Sequence, residues 1–143
     1  MFVGLKHVHD SAAMMRAVME GVVLENRQIL EVFAAIGVSR TDIRLTGDYS
    51  TLATWAQVQA DIYGKRLSTL ENRQATLMGA AILAGYGIRA FASLQEGVRH
   101  MVRLKDAFAP VPERVAEYER VYRKYGSLIA QVKKHKLFRL AAD

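Results

Sequence analysis

Along the first quarter of the chain the apolar residues Met15, Val18, Val22, Ile29, Phe33 and Ile36 recur at steps of three, four or seven, the period of one face of an α-helix. The pattern predicts a helix over 12–36, capped by Ser11 and stopped by Gly37. Asn26 falls on the same stripe, so it needs either a hydrogen-bonding partner or a gap in the apolar face. A β-prone run, Ile43 to Thr46, follows and breaks at Gly47. Leu52, Trp55, Val58 and Ile62 then form one side of a second helix, capped by Ser50 or Thr51 and closed by Gly64, a residue suited to the left-handed conformation of a helix end. "KRLSTL", Lys65 to Leu70, reads as a second strand. With a helix between them, the two strands are expected to lie parallel through a right-handed crossover.

The later half is helical. Asn72 is positioned to cap "RQATLMGAAILAGYG", in which Ala75, Gly79, Ala80 and Ala84 offer small side chains for close packing. Ser93 and Glu96 form a capping box opening a helix with Val98, Met101 and Val102. Pro112 starts the last helix, where Val115, Tyr118, Tyr122, Tyr125, Ile129 and Val132 make a regular stripe; so short a stripe predicts docking within the chain rather than a coiled coil. No tandem repeat interrupts this order. The expectation is an α/β chain, mostly helical, with about two parallel strands and five helices.

At 143 residues and 51% hydrophobic content the chain is sized for one domain with a real core. The absence of cysteine removes disulfides, thiolate metal sites and cysteine nucleophiles and fits a reducing compartment, so a cytoplasmic location is expected. No segment reaches the roughly 20 apolar residues of a membrane span, and no membrane association is expected. The formal charge of +6 is concentrated late, and 133–143 reads as a basic, disordered tail. Its "KKHKLFR" is better explained as a solvated helix end than as a phosphate grip. Without an aromatic ladder or a nucleic-acid motif, nucleic acid is not expected as a partner. His7, His9, His100 and His135 lack metal-ligand spacing, and Glu20, Glu25 and Glu31 read as surface or packing residues, with Glu20 placed to bridge Arg16 one turn earlier.

"RLTGDYSTLATW", Arg44 to Trp55, carries the candidate chemistry. A strand, a glycine turn and a helix start make a phosphate cradle when the turn aims free N–H groups at an anion. Here one glycine is followed by an aspartate and a tyrosine, so the residues alone are open to three readings: a working cradle, a lost one, or only a turn.

Four ordered pieces of sequence bear on that choice. "HDSAAMMRAVMEGVV" resembles a helix with an R-A-x-x-E-G core; "IRLTGDYSTLATWAQVQADIYGKRL" resembles a strand, glycine turn and helix with W-x-Q-x-x-A-D-x-x-G. "QATLMGAAILAGYGIRAFASLQEGVRHMV" resembles an A-x-x-G-A-A helix and its sequel, and "FAPVPERVAEYERVYRKYGSLI" a terminal helix with a P-x-P-E-x-x-x-x-Y lead-in. Over about Gly4 to Lys134 the chain thus resembles the C-terminal part of the FGGY carbohydrate kinases, with xylulokinase-like character. The resemblance implies the later part of the second domain of an actin-like (ribonuclease H-like) ATPase fold, over 1–143. It implies ATP and Mg²⁺ as cofactors of the parent family and a sugar substrate only for a full-length member. It also implies that the catalytic aspartate lies upstream of everything present, so no catalytic residue is assigned.

The family's turn carries two or three glycines and a small residue, whereas Gly47 is followed by Asp48, Tyr49 and Ser50, and Leu52 stands near a position often held by a short polar side chain. A carboxylate repels phosphate and a tyrosine fills space that glycine leaves open. The expectation is a degenerate nucleotide turn at Gly47, Asp48, Tyr49 and Ser50 with weak or no ATP affinity, against the alternative that Asp48 holds ribose hydroxyls or Mg²⁺. The functional expectation is a fragment or truncated relative of an ATP-dependent sugar kinase, inactive alone. The alternative is a non-catalytic interaction module, and a homodimer through the open sheet edge or the apolar helix faces is expected to cover what the missing strands would have covered.

Overall fold

In a computed structural model of the chain, residues 2–38 and 41–135 are described. The order of elements is α1 (Ser11–Ala35), β1 (Asp42–Leu45), a 3₁₀ turn (Asp48–Thr51), α2 (Ala53–Tyr63), β2 (Arg66–Leu70), α3 (Ala75–Gly87), α4 (Leu94–Met101), β3 (Leu104–Phe108) and α5 (Pro112–Lys134). These fall into two units, one from Met1–Ser39, Asp61–Tyr63 and Val111–Asp143, the other from Arg40–Ala60 and Gly64–Pro110.

The second unit holds a three-stranded sheet in the order β1-β2-β3. β1 and β2 pair in parallel, Ile43 opposite Leu67 and Leu45 opposite Thr69, as the crossover through α2 requires. β3 was not anticipated; it pairs antiparallel with β2 and leaves a register irregularity between Ser68 and Leu70. β1 and β3 are therefore the outer strands, and β1, the strand beside which the open edge is expected, remains at the edge of the sheet. Leu70, Met78 and Ile82 form a buried cluster, with Met101 and Val102 packed against it.

Several helix starts differ from expectation. Asp10, not Ser11, caps α1, accepting the Ala13 N–H at 2.8 Å; a carboxylate also suits the positive end of the helix dipole. Neither Ser50 nor Thr51 caps α2: both are turned into the 3₁₀ segment, and Leu52 precedes α2 with no side-chain cap. Asn72 accepts the Gln74 N–H at 2.9 Å, one step before α3, whose cap position is Gln74. Gly64 is left-handed, with φ 61°. The capping box holds: Ser93 Oγ accepts from Glu96 N at 3.1 Å, and Glu96 Oε2 accepts from Ala92 N at 2.6 Å. The small stripe of α3 is not the close approach. A Cβ on Gly79 would meet nothing within 4 Å, whereas one on Gly85 would lie 2.7 Å from the Phe91 ring and one on Gly97 2.8 Å from Ile82 Cγ2.

In the first unit α5 docks on α1 through polar atoms. Tyr118 and Tyr122 donate to Glu20 and Glu31, each at 2.7 Å, and Tyr125 donates to Glu25. Arg16 donates to Glu20 and to the Tyr118 hydroxyl, so the expected Arg16–Glu20 bridge is one corner of a larger network. Burial first, and then the glutamate beside each, push Tyr122 and Tyr125 up to about 12. Asn26 finds its partner in Tyr63.

Arg27 is the hub of this unit. It donates to Glu119 at 2.6 Å and to the Ile62 carbonyl at 3.1 Å, and lies 4.0 Å over the Tyr122 ring. Its Ile62 bond satisfies one of the terminal carbonyls that a helix such as α2 leaves without an internal partner. Residues Arg16, Glu20, Val23, Leu24, Arg27 and Glu31 share one face of α1, at ~100° per residue. The apolar stripe read from the sequence lies on the opposite face and is exposed: Met15 by 64%, Phe33 by 47% and Ile36 by 69%.

α5 extends through Lys134, placing Lys133 and Lys134 in its last turn, where the helix dipole favours cations. The remainder of the expected basic tail, 136–143, lies outside the described residues. No helix among the described residues is long and apolar enough to cross a membrane.

Candidate functional site

The turn after β1 is built around Gly47, whose φ of 88° and ψ of −179° belong to a region essentially reserved for glycine. Its N–H donates to the Arg73 carbonyl at 3.1 Å, tying the turn to the segment between β2 and α3. Its own carbonyl receives two donors, the Ser50 N–H at 3.1 Å and the Ser50 hydroxyl at 2.6 Å. Thr51 Oγ1 closes on the Asp48 carbonyl at 2.9 Å. The hydroxyl protons of Ser50 and Thr51 are thus spent on the turn itself, and Ser50 is buried.

Asp48 and Tyr49 point elsewhere. The Asp48 side chain is 83% exposed and lies 3.8 Å from Arg73 Nη1. A pair so open to solvent offsets the carboxylate's charge only weakly. Tyr49 is 73% exposed, so its ring does not occupy the turn, and the steric part of the sequence argument is weaker than the electrostatic part. Leu52 gives α2 no side-chain cap; a short polar residue at a helix start supplies one.

Beside the turn is a hollow of about 290 Å³ lined by Ser50, Thr51, Thr69, Leu70, Glu71, Arg73, Lys105 and Asp106. The irregularity between β2 and β3 lies at its wall, where Thr69 and Asp106 stand. Thr69 Oγ1 accepts the Asp106 N–H at 3.1 Å and donates to Asp106 Oδ2 at 3.4 Å, so a side chain stands where the regular ladder would have continued. Two cations and two carboxylates line the space. Its formal charge is balanced, and its volume lies just below the ~300–1,000 Å³ of small-molecule sites. It has room for part of a nucleotide. Thr69, Arg73, Lys105 and Asp106 were missed by sequence reasoning because Lys105 and Asp106 join the others only through β3, whose "RLKDAF" carries no clean alternation. Among the described residues no group of three or more His, Asp or Glu is placed to hold a metal ion.

The residues of W-x-Q-x-x-A-D-x-x-G are structural in each unit. Gln57 donates to the Ala109 carbonyl at 2.9 Å, Ala60 is fully buried, and Gly64 ends α2. Asp61, 1% exposed, accepts the Val111 N–H at 2.9 Å and lies 3.4 Å from Arg114 Nη1, anchoring the start of α5. A larger hollow, about 810 Å³, lies in the first unit, lined mostly by apolar residues such as Phe2, Leu5, Met14, Val18, Val121 and Leu128, with Glu20, Glu25 and Asn26 also on its wall; it holds none of the turn residues.

The FGGY family of carbohydrate kinases, C-terminal domain, matches residues 1–88. Xylulose kinase of Bacillus subtilis strain 168 is 33% identical over 131 residues, covering 92% of this chain and 26% of that protein. Ribulokinase of Halalkalibacterium halodurans is 29% identical over 119 residues, covering 79% of this chain and 21% of that protein. The crystal structure of xylulose kinase from Rhodospirillum rubrum superposes with a TM-score of 0.84 at 26% identity, covering 97% of this chain and 28% of that one. The chain therefore spans about a quarter of the length of the curated relatives it matches.

Proposed function

The chain belongs to the FGGY family of carbohydrate kinases, and on that premise we propose that it is a fragment or truncated relative of a xylulokinase-like sugar kinase, without turnover of its own. The parent reaction is ATP-dependent phosphorylation of a sugar or polyol hydroxyl, in which positioning and charge stabilisation are nearly all that the protein contributes. The observation that carries this reading is the Gly47 turn: its glycine-only backbone is retained while Asp48 stands at its rim. The turn and the charge-balanced hollow beside it do not amount to a nucleotide site, so no catalytic step is derived through ATP or Mg²⁺. The exposed Asp48 also favours a second reading, a non-catalytic module that has kept the lobe and lost the cradle.

Purified chain assayed over pentoses, hexoses and polyols with Mg-ATP is expected to show no turnover. Titration calorimetry is expected to show little heat from Mg-ATP near neutral pH, with a gain in the Asp48→Gly, Tyr49→Gly double variant. Turnover that survives rigorous purification would refute the inactive-alone reading. Tight ATP binding by the unaltered chain would refute the loss of the cradle.

A further inference from the structure

In the first unit α1 and α5 border a hollow of about 640 Å³, a volume within the ~300–1,000 Å³ of small-molecule sites. α1 contributes Arg16 and Glu20 to its lining, and α5 contributes Glu117, Tyr118, Arg120, Arg123 and Lys124. Three of these side chains are spent on one another. Arg16 donates to Glu20 Oε1 at 2.7 Å and to the Tyr118 hydroxyl at 3.1 Å, and that hydroxyl donates to Glu20 Oε1 at 2.7 Å. This group is formally neutral, and Tyr118 is buried.

The other charges are not balanced. Arg120, Arg123 and Lys124 share the hollow with a single further carboxylate, Glu117, and among the described residues none of the three cations has an ion-pair partner. Glu119, one turn before Arg123 and the natural partner by helix spacing, is taken by Arg27 at 2.6 Å. Arg123 and Lys124 follow Arg120 by three and four residues, the separations at which like charges destabilise a helix. An anion among them converts that repulsion into attraction.

We propose that this hollow binds a small phosphorylated sugar, with the phosphate on Arg120, Arg123 and Lys124 and the sugar hydroxyls on Glu117 and Glu20. Guanidinium forks match the geometry of phosphate, and the ammonium adds a mobile point charge. A phosphomonoester carries close to two negative charges at neutral pH, which matches the excess that three cations leave over one carboxylate. Carboxylates accept from hydroxyls through both oxygens, and the two bonds from Arg16 and Tyr118 fall on the same oxygen of Glu20, Oε1. The carboxylates also select against larger anions. A nucleic acid or an anionic membrane brings further phosphates, which Glu20 and Glu117 repel. A nucleobase finds no aromatic face to stack on, since Tyr118 is the ring that lines the hollow and it is buried. A phosphorylated sugar is also the class of compound that the proposed parent reaction releases. The hollow shares no residue with the Gly47 turn, however, and binding there does not depend on that reading.

Titration calorimetry of the purified chain with ribose 5-phosphate at low ionic strength tests the site, with ribose and inorganic phosphate as comparison probes. Saturable binding is expected for ribose 5-phosphate, about tenfold or more tighter than for inorganic phosphate, and none for ribose. The Arg120→Gln, Lys124→Gln double variant should weaken binding about tenfold or more through lost charge-assisted bonds. Both positions are exposed, so its far-ultraviolet spectrum should match that of the unaltered chain. Glu117→Ala keeps the phosphate partners and should narrow the preference for ribose 5-phosphate over inorganic phosphate by about threefold or more. Equal affinity for the two anions, an adventitious ion only, overturns the sugar assignment, as does a preference that Glu117→Ala leaves intact. No saturable heat, or binding indifferent to the double variant, overturns the site itself. Each of these readouts is separate from turnover, so failure of the kinase reading leaves them standing.

Discussion

Replacing Arg27 with alanine removes the hub of the first unit. The guanidinium is 17% exposed and its partner Glu119 45%, so the ion pair is discounted for solvent and contributes at most ~1 kcal/mol. The bond to the Ile62 carbonyl at 3.1 Å weighs more, since Ile62 is fully buried and its terminal carbonyl would be left unpaired at ~1–3 kcal/mol. The Tyr122 ring at 4.0 Å adds ~0.5–1 kcal/mol. These contributions share one side chain and do not add fully, so Arg27→Ala should destabilise by ~2–4 kcal/mol. Arg27→Lys, which keeps the charge but not the planar fork, should fall between. Urea unfolding followed by far-ultraviolet circular dichroism reads both. A double-mutant cycle with Tyr122→Phe, which removes the hydroxyl bond to Glu31 and keeps the ring, should show that most of the Arg27 effect survives. A loss within ~0.5 kcal/mol for Arg27→Ala, the ordinary value for a surface change, would refute the assignment of Arg27 as the hub.

The same substitution at two helix glycines should have opposite signs: Gly21→Ala, with nothing within 4 Å of the new Cβ, should stabilise by up to ~1 kcal/mol. Gly97→Ala, with Ile82 Cγ2 at 2.8 Å and Phe91 at 3.0 Å, should destabilise by ~1–2 kcal/mol once overpacking exceeds the propensity gain; thermal melts of the two variants compare them directly. Because Tyr122 and Tyr125 are raised from 10.0 to about 12 in the folded chain, the folded state binds more protons across that window. Their contribution is whole below pH 10 and is lost as pH rises toward 12; urea midpoints should fall over this range, and less so in a Tyr122→Phe, Tyr125→Phe variant. Gly47→Ala should cost ~1–3 kcal/mol despite open space around it, because its φ of 88° is the constraint, and Gly47→Asn should recover little of that in the same melts.

Much of the fold was legible because it is local. The helical periods, the left-handed Gly64, the capping box of Ser93 and Glu96 and the parallel pairing of β1 with β2 each follow from a few neighbouring residues or from a short crossover. The family was legible for the same reason, through four short pieces in order. The Gly47 turn was legible as a turn, since only glycine meets its backbone angles without strain. Its surroundings were not. β3 presents little hydrophobic contrast, with Leu104, Lys105, Asp106 and Ala107 all exposed, and it becomes a strand only because β2 offers it an edge. The hollow with Thr69, Arg73, Lys105 and Asp106 exists only after that pairing. Arg27 gave no signal in the sequence because its partners lie 35 and 92 positions away. The stripe of α1 shows the limit most directly. The sequence determined that Met15, Val22, Ile29 and Phe33 share one face, because the helical period alone fixes that. Only the tertiary structure decided that α5 engages the charged face with Glu20 and Glu31 as well as Glu25 beside the stripe, because the bonds from Tyr118, Tyr122 and Tyr125 join residues 98, 91 and 100 positions apart, a pairing no local pattern contains.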